Sequence, residues 1–334
     1  MGGGTAFIRG ASYVLGEQIA DHAAIENFRD LADGFRLAPN ADLWGWGSVR
    51  ATKRDLADLA ADAGTATMLA AGAQPSSVDA LLLCSNRIPG PAECHGSFVA
   101  SVLTGIGLGA IPCYGLNLNR CVNLLAGLDI ARALVTSGRH RTVLVITTDR
   151  VADKAARVSP FALYSDGAAS CMVTVGRGGP RRGDAASGIA TGISSGTVVS
   201  DTGASDTSGY ELLGCATAQD TATLEWGNEI SSDLARQVND RLLTPAGLKL
   251  ADLTAIMHAN LFKPLVVMKE RQAGFSADQL YLDNIPRVGH CFAADPLINL
   301  VDRAILGQLG EGSYCVLASS VPGSRIGVLL RRVH

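Results

Sequence analysis

In Asn119-Arg120-Cys121-Val122-Asn123-Leu124 a polar loop delivers a cysteine into the start of an Ala- and Leu-rich helical stretch. Orphan backbone N–H groups and the positive end of the helix dipole stabilise a thiolate there, which makes a nucleophile available near neutral pH. A second constellation, Gly289-His290-Cys291-Phe292-Ala293-Ala294-Asp295-Pro296, sets an imidazole and a carboxylate five residues apart on a loop that opens the last long helix. A carboxylate accepting from one ring nitrogen fixes the histidine tautomer, so that the other nitrogen can take a proton. Asp295 before Pro296 also suits a helix N-cap with proline at the first helical position. Cys121, His290 and Asp295 thus supply nucleophile, base and orienter from separate segments. His258 is a further candidate, because it follows the apolar run Leu253 to Met257 and strand ends in α/β sheets face ligand crevices. Trp44 and Trp46 suit either stacking on a ligand ring or covering core, and the core reading is preferred.

Positioning these groups takes a sizeable scaffold, and 334 residues with 47% hydrophobic and 18% charged content supply one, as two domains or one large α/β unit. A net charge of −3, without a Lys/Arg run, gives no field for coating nucleic acid. The N-terminal residues do not resemble a secretory signal, and no apolar window is long enough to span a bilayer, so a cytoplasmic protein without membrane contact is expected. The eight cysteines show no CxxC pair and no metal-ligand rhythm; free thiols and no metal are expected.

Short β-rich apolar runs predict strands over 80–84, 143–147, 171–175, 253–257, 314–318 and 326–330. Helical periodicity is read over 55–71, 124–137, 228–243, 261–273 and 296–309, an alternation typical of layered α/β folds. The stretch Ser194 to Thr223, rich in Gly, Ser, Thr, Asp and Ala, reads as one or two long surface loops. The order strand, functional loop, helix, turn, strand occurs twice. Cys121 and His290 lie 169 residues apart and the following strand centres 171 apart, as expected of a duplicated unit.

At these residues the chain resembles the ketoacyl synthase III family of the thiolase superfamily, from about residue 40 to the C-terminus. Beyond the Cys121 segment, Tyr164-Ser165-Asp166-Gly167-Ala168-Ala169 resembles the family's DGAGA stretch and Trp226-Gly227-Asn228-Glu229 its GNE stretch. Ala259-Asn260-Leu261 resembles the end of HQANLRI, Gly289-His290 falls at the Gly-Asn pair, and 320–327 at the terminal glycine-rich loop. The resemblance implies a thiolase-type five-layer αβαβα fold with two pseudo-symmetric halves, 1–176 carrying the cysteine and 177–334 the His and Asp. It also implies a homodimer and no cofactor beyond the acyl thioester of an acyl carrier protein or coenzyme A.

The departures from the family pattern are informative. Met257 falls under the family histidine, His258 under the glutamine, and His290 replaces the asparagine that helps decarboxylate a malonyl thioester. Loss of those donors disfavours carbon–carbon bond formation. A minority branch of polyketide and antibiotic pathways is similar in pairing its nucleophile with a His and a nearby Asp, and it moves an acyl unit onto a small-molecule hydroxyl, amine or carrier thiol. The resemblance therefore implies an acyltransferase with Cys121, His290 and Asp295 as its catalytic residues. His258 and Asn260 are possible additional site residues, and the backbone N–H groups of Cys121 and Gly323 an oxyanion hole. Proline at position 322 removes one donor from the terminal loop. The alternatives are a condensing enzyme that uses His258 and His290, and a non-catalytic partner that binds acyl carriers.

Overall fold

A computed structural model describes residues 4–176, 199–200, 202–225, 227 and 229–333. Its strands are β1 (Ala6–Leu15), β2 (Gln18–Asp21), β3 (Ser48–Ala51), β4 (Ala80–Cys84), β5 (Cys113–Leu116), β6 (Thr142–Asp149), β7 (Gly167–Val175), β8 (Val199–Ser200), β9 (Gly203–Ser205), β10 (Gly209–Gln219), β11 (Leu253–Met257), β12 (Tyr314–Val321) and β13 (Ser324–Val333). Its helices are α1 (Phe28–Gly34), α2 (Ala41–Trp44), α3 (Leu56–Ala70), α4 (His95–Ile106), α5 (Asn123–Thr136), α6 (Ser232–Ala246), α7 (Lys263–Gln272), α8 (Asn284–Val288) and α9 (Asp295–Ile305).

The main sheet runs β11-β12-β13-β10-β1-β7-β6-β4-β5, with β9 on β1 and β8 on β9. Strands β4 and β6 are parallel and β6 and β7 antiparallel; β11 and β12 are parallel and β12 and β13 antiparallel, the same arrangement twice. Strands buried on both faces read as continuous apolar runs, which is why β4, Ala-Leu-Leu-Leu-Cys, has no polar residue. Its residues divide by pleat: Ala80, Leu82 and Cys84 pack with α5 and α9 in the central core, whereas Leu81 and Leu83 pack with α3 and α4 outside. On the other half, α6 covers the opposite faces of β10 to β13. Helix α9 has ten buried residues among its eleven, as the central layer of a thiolase-type α/β fold requires.

The six predicted strands and five predicted helices all form, most with ends moved by a few residues. The surface-loop reading of Ser194 to Thr223 does not hold. Residues 209–219 form β10, a central strand paired to β1 and β13 whose alanines face α6; its small-residue composition reflects close helix packing, not exposure. The parts of that stretch at 194–198 and 201 lie outside the described residues. Strand β1 also lies mid-sheet and escaped the sequence reading, because Arg9, Gly10 and Ser12 interrupt its apolar pattern. Trp46 is buried against Phe28 and Phe262, in accord with the core reading, and the indole of Trp44 donates to the Ala38 carbonyl.

Candidate functional site

Strand β5 ends just before the polar loop, and Arg120–Val122 form one tight helical turn leading directly into α5. Arg120 has a left-handed backbone (φ 55°), and its guanidinium donates to the carbonyls of Pro322 (2.7 Å) and Leu224 (3.2 Å), tying the turn to the β12–β13 hairpin. Cys121 follows, 4% exposed, with its carbonyl accepting from the Ser319 hydroxyl (3.1 Å). Its sulfur sits at the mouth of α5, whose N-cap position, Val122, carries no capping side chain. The Asn86 side-chain amide donates to this sulfur at 3.4 Å. Asn86 is itself fixed: its carbonyl oxygen accepts from Asn123 (3.2 Å) and its backbone N–H donates to Asp149 (2.7 Å). Asn123 also donates to the Ser85 carbonyl and accepts from the Asn119 N–H. Burial pushes the Asp149 carboxyl up to about 7, against the hydrogen bonds from Asn86 and Ser85.

His290 reaches the same place from the other half. Gly289 (φ 75°) passes so close to the 163–165 segment that a Cβ would lie 2.8 Å from the Leu163 carbonyl oxygen, so glycine is needed here. The His290 N–H donates to Leu163 (2.8 Å) and its carbonyl accepts from Ser165 (2.9 Å), a short parallel bridge that locks the loop. Nδ1 of His290 is hydrogen-bonded to Asp295 Oδ2. That carboxylate does not cap α9, which begins at Asp295 itself with Ala294 in the cap position. Instead Oδ1 accepts from the Cys291 N–H and Oδ2 from the Asn260 N–H, each at 2.7 Å. Burial alone would lower the His290 pKa, but the Asp295 carboxylate and the Cys121 thiolate, both within hydrogen-bonding reach, raise it to about 10. The ring thereby favours its protonated form.

Cys121 and His290 open on one cavity of about 250 Å³. Phe161, Ile230, Leu261 and Leu265 supply apolar wall, and His258 lines it as well. Glu229 of the Gly-Asn-Glu stretch lies at this cavity, 3.6 Å from Lys269; Trp226 and Asn228 of that stretch are outside the described residues. Asn260 does not line the cavity. It donates to the Gly289 carbonyl (3.1 Å) and accepts from Asn299 (3.0 Å), so that it positions the His290 loop. Gly323 also lies off the cavity wall: a side chain there would meet the backbone of Leu224 and Asp220, and it is Val321 and Pro322 that line the site. Asp166, of the segment resembling DGAGA, pairs with Arg157 (2.8 Å) and accepts from Thr52 and Val151 N–H groups, a bracing role.

Sequence reasoning missed Asn86, Asn123, Asp149 and the buried chain behind the triad. In that chain Asn299 bonds the His258 carbonyl and Asn284, and Asn284 and Tyr13 bond Asp302. Polar residues at otherwise apolar positions of α5 and α9 were the available signal, since buried polar groups must find partners.

The fold, which brings a cysteine and a histidine together from its two repeated units, is of the thiolase type. Comparisons with known proteins narrow this. Residues 117–190 match the family model 3-oxoacyl-[acyl-carrier-protein] synthase III. A β-ketoacyl-[acyl-carrier-protein] synthase III from Fusobacterium nucleatum is 28% identical over 171 residues, a stretch covering 50% of this chain and only 49% of that relative's length. Among solved structures, the acyltransferase ChlB3 superposes with a TM-score of 0.78 at 16% identity over 98% of each chain. The 3-oxoacyl-[acyl-carrier-protein] synthase III of Aquifex aeolicus gives 0.74 at 16% identity over 98% of this chain and 100% of that one. OleA of Xanthomonas campestris also gives 0.74 at 16%, over 98% of each. Together these likenesses fit the ketoacyl synthase III-like family of the thiolase superfamily.

Proposed function

We propose that this chain is an acyltransferase of secondary metabolism that moves an acyl unit from an acyl carrier protein or coenzyme A thioester, by way of acyl-Cys121, to a hydroxyl or amine acceptor. The observation that carries the reading is His290, bonded through Nδ1 to the buried Asp295 and sharing a cavity with Cys121. In the first half-reaction the Cys121 thiolate attacks the thioester carbonyl. The carbon–sulfur bond to the carrier breaks, and the departing thiolate takes the His290 proton. In the second, neutral His290 takes the proton of the acceptor as its oxygen or nitrogen attacks the acyl carbonyl. Cys121 leaves as thiolate and the ion pair is restored. Asp295 holds the tautomer throughout and remains ionised. In this reading the Cys121 N–H stabilises the oxyanion. The protein works as a homodimer in this reading.

A condensing reaction is less well supported. It needs donors for an enolate oxygen, yet His258 Nδ1 is spent on the Ala259 carbonyl (2.8 Å), which leaves a neutral ring no second N–H. Intact-mass analysis after incubation with acetyl-, malonyl- and butyryl-coenzyme A tests the proposal. The expected result is a covalent acyl adduct that Cys121→Ala abolishes and that keeps the whole malonyl unit. Carbon dioxide release from malonyl-coenzyme A with ketone formation favours condensation. No adduct with any thioester or carrier refutes the transferase and favours a binding subunit.

A further inference from the structure

The Cys121 sulfur is approached from both halves of the fold. His290 comes from the C-terminal half with Asp295 behind it, and from the N-terminal half comes the Asn86 amide, at 3.4 Å. Backbone groups fix which way that amide points. The Asn119 N–H can only donate, so the Asn123 atom that meets it (3.0 Å) is the side-chain oxygen; the Ser85 carbonyl can only accept, so the Asn123 atom that meets it (3.2 Å) is the NH2. The same NH2 lies 3.2 Å from Asn86 and therefore faces its oxygen, which turns the Asn86 NH2 onto the sulfur. The sulfur is thus addressed as an acceptor, a role in which a charge-assisted bond to a thiolate is stronger than one to a thiol.

Behind Asn86 lies Asp149. Strands β4 and β6 run parallel with Cys84 opposite Thr147, so two residues further on Asp149 comes beside Asn86. Its Oδ1 accepts from the Asn86 N–H (2.7 Å) and from the Ser85 hydroxyl (3.1 Å), and that hydroxyl accepts in turn from the Arg87 N–H (3.2 Å). Three consecutive residues close around one carboxyl oxygen, which sets where the Asn86 side chain leaves the backbone. Oδ2 takes no part, having no partner among the described residues. Burial, only partly offset by these bonds and by His290, lifts this carboxyl to about 7; the proton it gains goes to Oδ2, and Oδ1 keeps both bonds. We propose that Asp149 is a positioning residue for the nucleophile: through Oδ1 it holds the turn that aims the Asn86 amide at the Cys121 sulfur, so that each half of the fold brings the sulfur one donor backed by one buried carboxyl. The inference rests on Cys121 being the nucleophile, as in the acyl-transfer reading, and is independent of the acceptor. What is asked of Asp149 is an accepting oxygen, whereas Asp295 also supplies charge to His290.

The test uses the full-length protein and two reagents, iodoacetamide, from which the sulfur displaces iodide without any carrier, and butyryl-coenzyme A, which reads acyl loading. Peptide mass spectrometry distinguishes Cys121 from the rest of the eight cysteines. Asp149→Ala is expected to slow alkylation and loading at neutral pH by about tenfold, the same loss as in Asn86→Ala. The double variant Asn86→Ala/Asp149→Ala should remain near tenfold, since both changes remove the same donor, whereas independent effects would multiply to about a hundredfold. Asp149→Asn keeps an accepting oxygen and drops the charge, and it should recover most of the rate. Unchanged alkylation in Asp149→Ala, a double variant near the multiplied loss, or an Asp149→Asn no faster than Asp149→Ala each overturns the proposal. If Asp149→Ala does not fold, Ser85→Ala loosens the same turn and must show the same lack of additivity with Asn86→Ala; additivity there overturns the proposal as well. The expected alkylation pattern in a protein that no thioester acylates sinks the transferase reading and keeps the role of Asp149. Loading that is normal in wild type and insensitive to Asp149→Ala does the reverse.

Discussion

Asp295→Asn separates the triad from a merely packed polar cluster. In the wild type three N–H groups converge on this carboxylate: His290 Nδ1–H, the Asn260 N–H at 2.7 Å and the Cys291 N–H at 2.7 Å. A carboxylate accepts all three; an amide has one oxygen, so whichever way it turns its NH2 faces at least one N–H. Leaving a buried donor facing a donor costs about 1–3 kcal/mol, and the lost charge-assisted bond to the imidazolium about 1.5–3 kcal/mol. Because the side chain is fully buried, solvent does not screen either term. The protein should therefore lose about 3–5 kcal/mol of stability, the range seen when one partner of a buried ion pair is removed. Acyl loading of Cys121 should fall by about a factor of 10³ to 10⁴, because the amide no longer fixes the tautomer or balances the imidazolium. Stopped-time intact-mass measurement of loading by butyryl-coenzyme A, beside urea denaturation, reads both. Loading within about threefold of wild type in a folded Asp295→Asn protein would refute the reasoning.

The remaining predictions are narrower. Asn86→Ala removes the amide that donates to the Cys121 sulfur at 3.4 Å, and loading should slow by about tenfold, one hydrogen bond's worth, with little change in discharge, both read by the same mass assay. Gly289→Ala forces a side chain into a φ of 75° beside the Leu163 carbonyl and should cost about 3 kcal/mol or more in denaturant titration. His290, raised to about 10 by Asp295 and the Cys121 thiolate, should give an imidazolium nitrogen-15 signature in the resting protein up to about pH 9. A folded pKa above the unfolded one adds stability that is fully present below about pH 6.5 and lost as pH rises through about 10, so alkaline unfolding should weaken that signature first.

The sequence by itself fixed the elements whose local chemistry is strong. Continuous apolar runs such as Ala80–Cys84 can only be buried strands, and the periodic α5 and α9 can only be packed helices. It also nominated the triad, because a cysteine at a helix mouth and a His–Asp pair on one loop each carry their meaning within a few residues. Composition misled at 209–219, where glycine, alanine and threonine looked like loop until β1 and β13 supplied hydrogen bonds on both sides. Asn86 and Asp149 carried no local mark, since an asparagine after a strand is ordinary until a sulfur 35 positions later comes to rest against it. Pairings set by chain neighbours can be read along the sequence, whereas those between distant segments depend on how the layers stack, and hydrogen-bond geometry exists only after they have done so.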